Sequence, residues 1–298
     1  CLSRGLGDVY KRQPGAGATG FEALGEIING SVNPSGKTVD TFVKNLTETP
    51  YYNNMGLNAY TNVEDLKEQI AANDPAYEGS MGFVNYAEGI YVGYKFYETA
   101  AEEGLIKYED MVQYPFGYGL SYTEFEQKMG ELEEKDGQIS VDVEVTNSGD
   151  VAGKDVVEVY YKPPYTNGGI EKSSANLIEF AKTDLLQPGE PQTVTVTFSI
   201  EDMASYDENN AKAYVLEKGD YVISINSDSH TALDQKTYTA DTDVVYEEEN
   251  KRVSDDTAAT NVFEDAKGDV TYLSRADHFA NYKEATAEPA SAELGEPY

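Results

Sequence analysis

The chain has 298 residues, 40% of them hydrophobic and 11% aromatic, enough to give each of about two domains a core of its own. Its 54 acidic against 22 basic residues leave a net charge of -32, which opposes binding to nucleic acid or to an anionic membrane through long-range repulsion. No run approaches the roughly 20 apolar residues of a membrane-spanning helix, and a single cysteine, Cys1, excludes an intrachain disulfide and a cysteine-built metal site.

Residues 1–13, CLSRGLGDVYKRQ, have no hydrophobic period and resemble a translated sequencing-adapter scar, so fold reasoning starts at Pro14, with no secretory leader read before it. Gly15, Gly17 and Gly20 lack the dinucleotide spacing, the preceding strand and the Walker lysine of a phosphate cradle. Leu24, Ile27 and Ile28 fall on one face of a helix that Gly30 stops, and a short strand is expected over 38–42. Across 45–85, turn signals at Asn53-Asn54, Gly56 and Asp74-Pro75 surround one helix, capped by Thr61 or Asn62 and turning Val63, Leu66 and Ile70 inward. Tyr51, Tyr52, Tyr60, Tyr77 and Tyr86 crowd this stretch. Their rings could stack on a pyranose while amides bond its hydroxyls, although packing of the domain surface is the favoured reading. A helix over 88–101 carries Ile90, Tyr94, Tyr97 and Ala101 as a packing stripe, with Glu88 in a structural role.

Tyr114 to Thr123, YPFGYGLSYT, divides the chain. Pro115 fixes one backbone angle, Gly117 and Gly119 permit turns closed to other residues, and the aromatic rings can bury against both sides, so the stretch reads as a rigid elbow between domains. A charged connection is expected over 126–137. The period then changes to two: Ile139, Val141, Val143 and Val145 alternate with polar residues, Asn147-Ser148-Gly149-Asp150 supplies a turn, and Val157, Val159 and Tyr161 repeat the pattern. Strands over 193–198 and 221–225 follow the turns at 187–190 and 218–220, which together indicate a β-sandwich. Each inward Val, Ile or Phe contributes roughly 1.5 to 3 kcal/mol before entropy is subtracted, enough to hold such a domain without disulfides. From Asp241 onward, 15 acidic and 5 basic residues read as a solvated linker. It has no 12-residue calcium loop with a central glycine and a final glutamate.

The elbow resembles the PFGYGLSYT element of glycoside hydrolase family 3, the β-glucosidase and β-xylosidase family. Asn33–Thr38 (NPSGKT), Glu88–Tyr97 (EGIYVGYKFY) and Val145–Lys154 (VTNSGDVAGK) match the same family in order. The resemblance implies a mixed fold: the end of an α/β sandwich over 14–125, an all-β immunoglobulin-like (fibronectin type III-like) sandwich over 126–230, and an acidic, largely irregular tail over 231–298. Asp269–Asp277 (DVTYLSRAD) is similar to the segment that, in a subgroup with reversed domain order, leads into the barrel.

Retaining glycosidases act through two carboxyl groups about 5 to 5.5 Å apart. In this family the nucleophile belongs to the barrel and the acid to an upstream part of the sandwich. The expectation for this chain is therefore no catalytic residue, no cofactor and no metal, with an oligosaccharide or β-glycoside met through the barrel, and no turnover in isolation. His230 and His278 read as lone surface histidines, and neither a Gly-x-Ser-x-Gly elbow nor a His-Glu-x-x-His helix is present. A non-catalytic carbohydrate-binding, adhesion or spacer module is the alternative reading.

Overall fold

The computed structural model describes residues 20–54, 58–73, 82–262 and 270–293. The first helix, α1 (Gly20–Ile28), forms where the apolar period places it and ends at Gly30, whose φ of 80° stops the helix. Its stripe is covered only in part: Ile27 is half-buried, but Leu24 and Ile28 are 41% and 73% exposed, as is Phe21 at 61%. The strand expected at 38–42 is reduced to β1 (Phe42–Val43). The chain continues through β2 (Asn58–Ala59), α2 (Val63–Asn73), β3 (Gly82–Phe83), α3 (Tyr94–Glu102), α4 (Tyr108–Met111) and β4 (Val112–Tyr114). β1 pairs with β4 and β2 with β3, both antiparallel. Of the three residues expected inward on α2, Val63 and Ile70 are buried and Leu66 is half-buried.

α3 begins at Tyr94 rather than near Glu88, because Gly89 and Gly93 take φ of 56° and 60° and turn the chain before it. Ile90 consequently stays exposed, while Phe96, Tyr97 and Ala100 enter a core with Tyr91, Tyr108, Met111 and Val112. Leu273, Phe279 and Ala285 complete that core. The tail is thus no linker throughout: its apolar residues, spaced too widely to show a period, return over a hundred positions to cover α3.

Beyond the elbow the strands are β5 (Phe125–Lys135), β6 (Gln138–Asn147), β7 (Val156–Lys162), β8 (Asn176–Lys182), β9 (Pro191–Ser199), β10 (Ser205–Asp207), β11 (Ala213–Leu216), β12 (Gly219–Asn226), β13 (Ala232–Ala240) and β14 (Val244–Tyr246). They form sheets of order β5-β6-β9, β13-β12-β7-β8 and β10-β11-β14, and every pairing among the described residues is antiparallel. The first two sheets enclose Ile139, Val141, Val143, Val145, Val157, Val159, Ile223 and Ile225, all at most 1% exposed.

Two elements correct the sequence-based expectation. Residues 126–135 are a strand, not a connection. β5 sends Glu126, Lys128, Glu131 and Glu133 to solvent, and a bulge between Met129 and Leu132 breaks the alternation of its few inward residues. Asp136 and Gly137, at φ of 53° and 77°, close the hairpin to β6 as the two-residue turn that matches strand twist. β13 likewise hydrogen-bonds along the length of β12, so the sheet runs past the boundary expected at 230. As an edge strand with polar residues on both faces it carries no apolar period. Among the described residues no helix is long and apolar enough to cross a membrane, and no group of His, Cys, Asp or Glu is placed to hold a metal ion.

Candidate functional site

The elbow joins the two halves through three sequence stretches that converge in space. Gly117 N–H donates to the Thr38 carbonyl at 2.8 Å, Thr38 N–H to the Tyr118 carbonyl at 2.7 Å, and the Thr38 hydroxyl to the Pro115 carbonyl at 2.6 Å. Asn33 accepts from the Tyr122 N–H at 2.8 Å through Oδ1 and donates to the Ala152 carbonyl at 3.1 Å through Nδ2. Asn147, fully buried, accepts from the Thr123 hydroxyl at 2.7 Å and donates to the Val151 and Leu186 carbonyls. These bonds give Asn33, Thr38, Thr123 and Asn147 of the three stretches their roles. Phe116 stacks on Tyr94 with ring centroids 4.7 Å apart, bringing α3 against the β-sandwich.

α3 lies across the outer face of the β13-β12-β7-β8 sheet, where polar residues meet it. Glu158 on β7 is 3% exposed and accepts a 2.9 Å hydrogen bond from the Tyr160 hydroxyl. Burial raises its pKa from 4.5 to about 7, against the opposing influence of the Tyr160 bond and of Lys37. Because the folded pKa lies above the unfolded one, the folded state holds the proton more tightly. Stability is therefore greatest below about pH 4.5 as far as this group is concerned, and falls as pH rises towards about 7. The loss is about 3 kcal/mol at 1.36 kcal/mol per unit. Glu158→Gln is expected to remove this slope, so that its stability relative to the parent chain rises between those pH values in urea denaturation; parallel profiles would refute the assignment.

His230 is not a lone surface histidine. Its ring stacks on Tyr108 at 3.6 Å, and Nδ1 lies 2.8 Å from Oε2 of Glu98, a residue of α3 that is 8% exposed. That hydrogen bond, foremost, raises the His230 pKa. The Ser229 hydroxyl donates to the other Glu98 oxygen at 2.8 Å. Serine, histidine and carboxylate thus meet, but both partners bond the carboxylate and Ser229 has no bond to the imidazole, so this is a tether rather than an activated nucleophile. Glu98 and His230 stand 132 positions apart, and no local motif signals their meeting.

The C-terminal segment is held by a second polar cluster. Arg275, 3% exposed, donates to Glu103 at 2.6 Å, Glu102 at 2.8 Å and the Lys172 carbonyl at 3.1 Å, and lies over the Tyr165 ring. Glu171 accepts from the Tyr91 hydroxyl, from the Ser274 hydroxyl and from the Arg275 N–H. His278 also pairs with Glu103, at 2.6 Å, while its own ring stays exposed. Asp277, His278 and Phe279 have φ of 51°, 59° and 58°, an arrangement held by reciprocal 2.8 Å bonds between Asp277 and Asn167 and by burial of Phe279 against Tyr91 and Phe96.

Two clefts border α3. One of about 490 Å³ is lined by Glu98, Asn226, His230 and Gln235. The larger, about 580 Å³, is lined by Lys95, Tyr161, Asn176, Tyr206, Asn209 and Tyr272 among others. The tyrosines singled out in the sequence line neither: Tyr52 and Tyr86 are 40% and 78% exposed, Tyr51 and Tyr60 are half-buried, and Tyr77 falls outside the described residues. Glu88 is half-buried in the turn before α3, where its carbonyl accepts from the Tyr91 N–H.

Residues 155–229 match the model of the fibronectin type III-like domain. A beta-glucosidase A of Butyrivibrio fibrisolvens is 34% identical over 256 residues, 80% of this chain and 27% of that protein. A beta-glucosidase of Ruminococcus albus is 32% identical over 271 residues, 89% of this chain and 25% of that protein. The chain thus spans about a quarter of the length of these relatives. Among solved structures, beta-glucosidase 3B from Thermotoga neapolitana, in complex with α-D-glucose, superposes with a TM-score of 0.61 at 28% identity, covering 76% of this chain and 27% of that one. Carrying the fibronectin type III-like domain and matching these proteins over most of its own length, the chain belongs to the β-glucosidase type of glycoside hydrolase family 3.

Proposed function

We propose that this chain serves a β-glycosidase acting on terminal β-glucosyl or related residues as a bracing, non-catalytic portion, and that alone it does not turn over substrate. The observation that carries this reading is the engagement of the buried carboxylates, Glu98 by Ser229 and His230, Glu158 by Tyr160, Asp207 by the N–H groups of Asn209, Asn210 and Ala211, and Asp228 by those of His230 and Thr231. Although Glu171 and Asp207 share the larger cleft with Glu208, each of the four carboxylates just named is held by donors of the fold itself, whereas glycoside hydrolysis uses two carboxyl groups turned to the substrate. The largely exposed stripe of α1 supports the same reading, since a helix of an α/β sandwich buries such a face against a further layer. In this reading residues 20–123 with 270–293 form one unit and 125–246 the other, and Asp269–Asp277 leads towards the barrel. Purified chain is expected to release no aryl group from an aryl β-D-glucoside beyond a vector control. Hydrolysis that scales with its concentration would overturn the proposal.

A second reading, a saccharide-binding module, is favoured by the 580 Å³ cleft, whose tyrosine and amide lining suits a sugar ring.

A further inference from the structure

Lys95 stands in the first turn of α3 and its side chain lines the larger cleft. The ammonium is half-buried, and among the described residues it meets no carboxylate and no hydrogen-bond acceptor. Burial alone acts on it, lowering its pKa with no neighbouring acid to offset the effect. The first turn of a helix also disfavours a cation, because the unpaired N–H groups there are themselves positive.

The other charges around the cleft are Lys172, Glu171, Asp207 and Glu208, and each has partners of its own. Lys172 pairs with Glu217, Glu171 is bonded by Tyr91 and Ser274, and the backbone N–H groups that follow Asp207 cap it. In a chain with more than two acids for every base, a half-buried lysine left uncompensated is unusual. A surface position would cost nothing, so its placement in a cleft is the feature to explain.

The rest of the lining narrows the ligand. Tyr206 and Tyr272 supply aromatic surface, and Asn176 and Asn209 supply amides, within a volume ordinary for a small-molecule site. We propose that this cleft binds a sugar acid, a pyranose bearing one carboxylate, with that carboxylate on the Lys95 ammonium. The acids of the cleft do not forbid it, since Glu171 is answered by the Tyr91 and Ser274 hydroxyls and the Arg275 N–H, and Asp207 by three backbone N–H groups, while repulsion from distant surface acids is screened beyond roughly 8 Å at physiological ionic strength. The choice of a sugar rests on the glycosidase reading above, but binding is measured without turnover, so the two can fail separately.

Calorimetric titration of the full chain with methyl β-D-glucuronide is expected to give saturable binding. Methyl β-D-glucoside, the same ring without the charge, is expected to bind about tenfold more weakly or worse, as the loss of a charge-assisted bond implies. Lys95→Met is expected to weaken glucuronide binding by a similar factor and Lys95→Arg to retain most of it. Removing an uncompensated cation carries no folding penalty, so the Met variant should melt at or above the parent temperature. Should it fail to fold, a shift of the Lys95 side-chain resonances of the parent chain on titration serves instead. No saturable binding, equal binding of the glucoside, indifference to Lys95→Met or an unmoved Lys95 resonance would each overturn the proposal. Acetate or phosphate binding as tightly as the glucuronide would reduce the cleft to a bare anion site and overturn the sugar assignment.

Discussion

Arg275→Met is expected to release the segment 270–293 from α3 while leaving the β-sandwich folded. The guanidinium is 3% exposed and answers Glu102, Glu103 and the Lys172 carbonyl at once, while Tyr165 lies against its face. Methionine keeps the volume but leaves Glu103, whose side chain is 11% exposed, without its principal cation. Glu102 is more than a third exposed and recovers much of its loss from water. Breaking one side of a buried ion pair costs about 3 kcal/mol, a large share of what holds a segment of this size to the surface beneath it. The readout is hydrogen exchange at Leu273, whose N–H donates to the Ala87 carbonyl at 2.7 Å. Exchange there should accelerate about a hundredfold or more, while amides of β6 and β12 keep their rates. Arg275→Lys should not restore protection, because a single ammonium cannot reach three acceptors arranged around a plane. Unchanged exchange at Leu273 would place the hold on the segment elsewhere, in Phe279 and Leu273 themselves.

That dependence on distant partners also explains what was legible before the structure. β6, β9 and β12 could be read because each buries one face of a sheet and exposes the other, so that Ile139, Val141, Val143 and Val145 alternate with polar neighbours. β5 and β13 could not, since edge strands keep charge and polarity on the side that neighbours do not cover. A signal for β5 existed in Asp136-Gly137, a two-residue hairpin turn, but the charged run before it hid the strand. The elbow was legible as a rigid junction because Pro115, Gly117 and the rings act locally. Its engagement of Asn33, Asn147 and Glu158 was not, because those contacts exist only once two domains have docked. The same holds for Glu98 with His230 and for Arg275 with Glu103, pairs made by residues whose sequence surroundings carry no trace of each other. α1 shows the converse: its apolar period was read correctly, yet a period identifies a face to be covered and not what covers it.

Gly117→Ala is expected to destabilise the chain by about 3 kcal/mol, from two sources that a second glycine separates. Gly117 has a φ of 81°, and a Cβ built there would lie 2.3 Å from Oε2 of Glu158. The backbone conformation alone costs an L-residue about 1 to 2 kcal/mol. The methyl group then forces the Glu158 carboxyl aside. That side chain is flexible, but at 3% exposure it has no water to move into, and moving it takes the acceptor from the Tyr160 hydroxyl, itself 2% exposed. Leaving a buried donor unsatisfied adds about 1 to 3 kcal/mol. Gly137, in the β5–β6 hairpin, has a φ of 77° and nothing within 4 Å of its would-be Cβ. Gly137→Ala therefore carries the conformational cost alone and should lose about 1 kcal/mol. Urea denaturation of the two variants beside the parent measures the difference. Equal losses would mean that Glu158 yields freely and that Gly117 is required only for its backbone angle. A loss at Gly117 larger by about 2 kcal/mol would establish that the glycine is there to let the elbow close over a buried carboxyl, which is how this junction seats one domain upon the other.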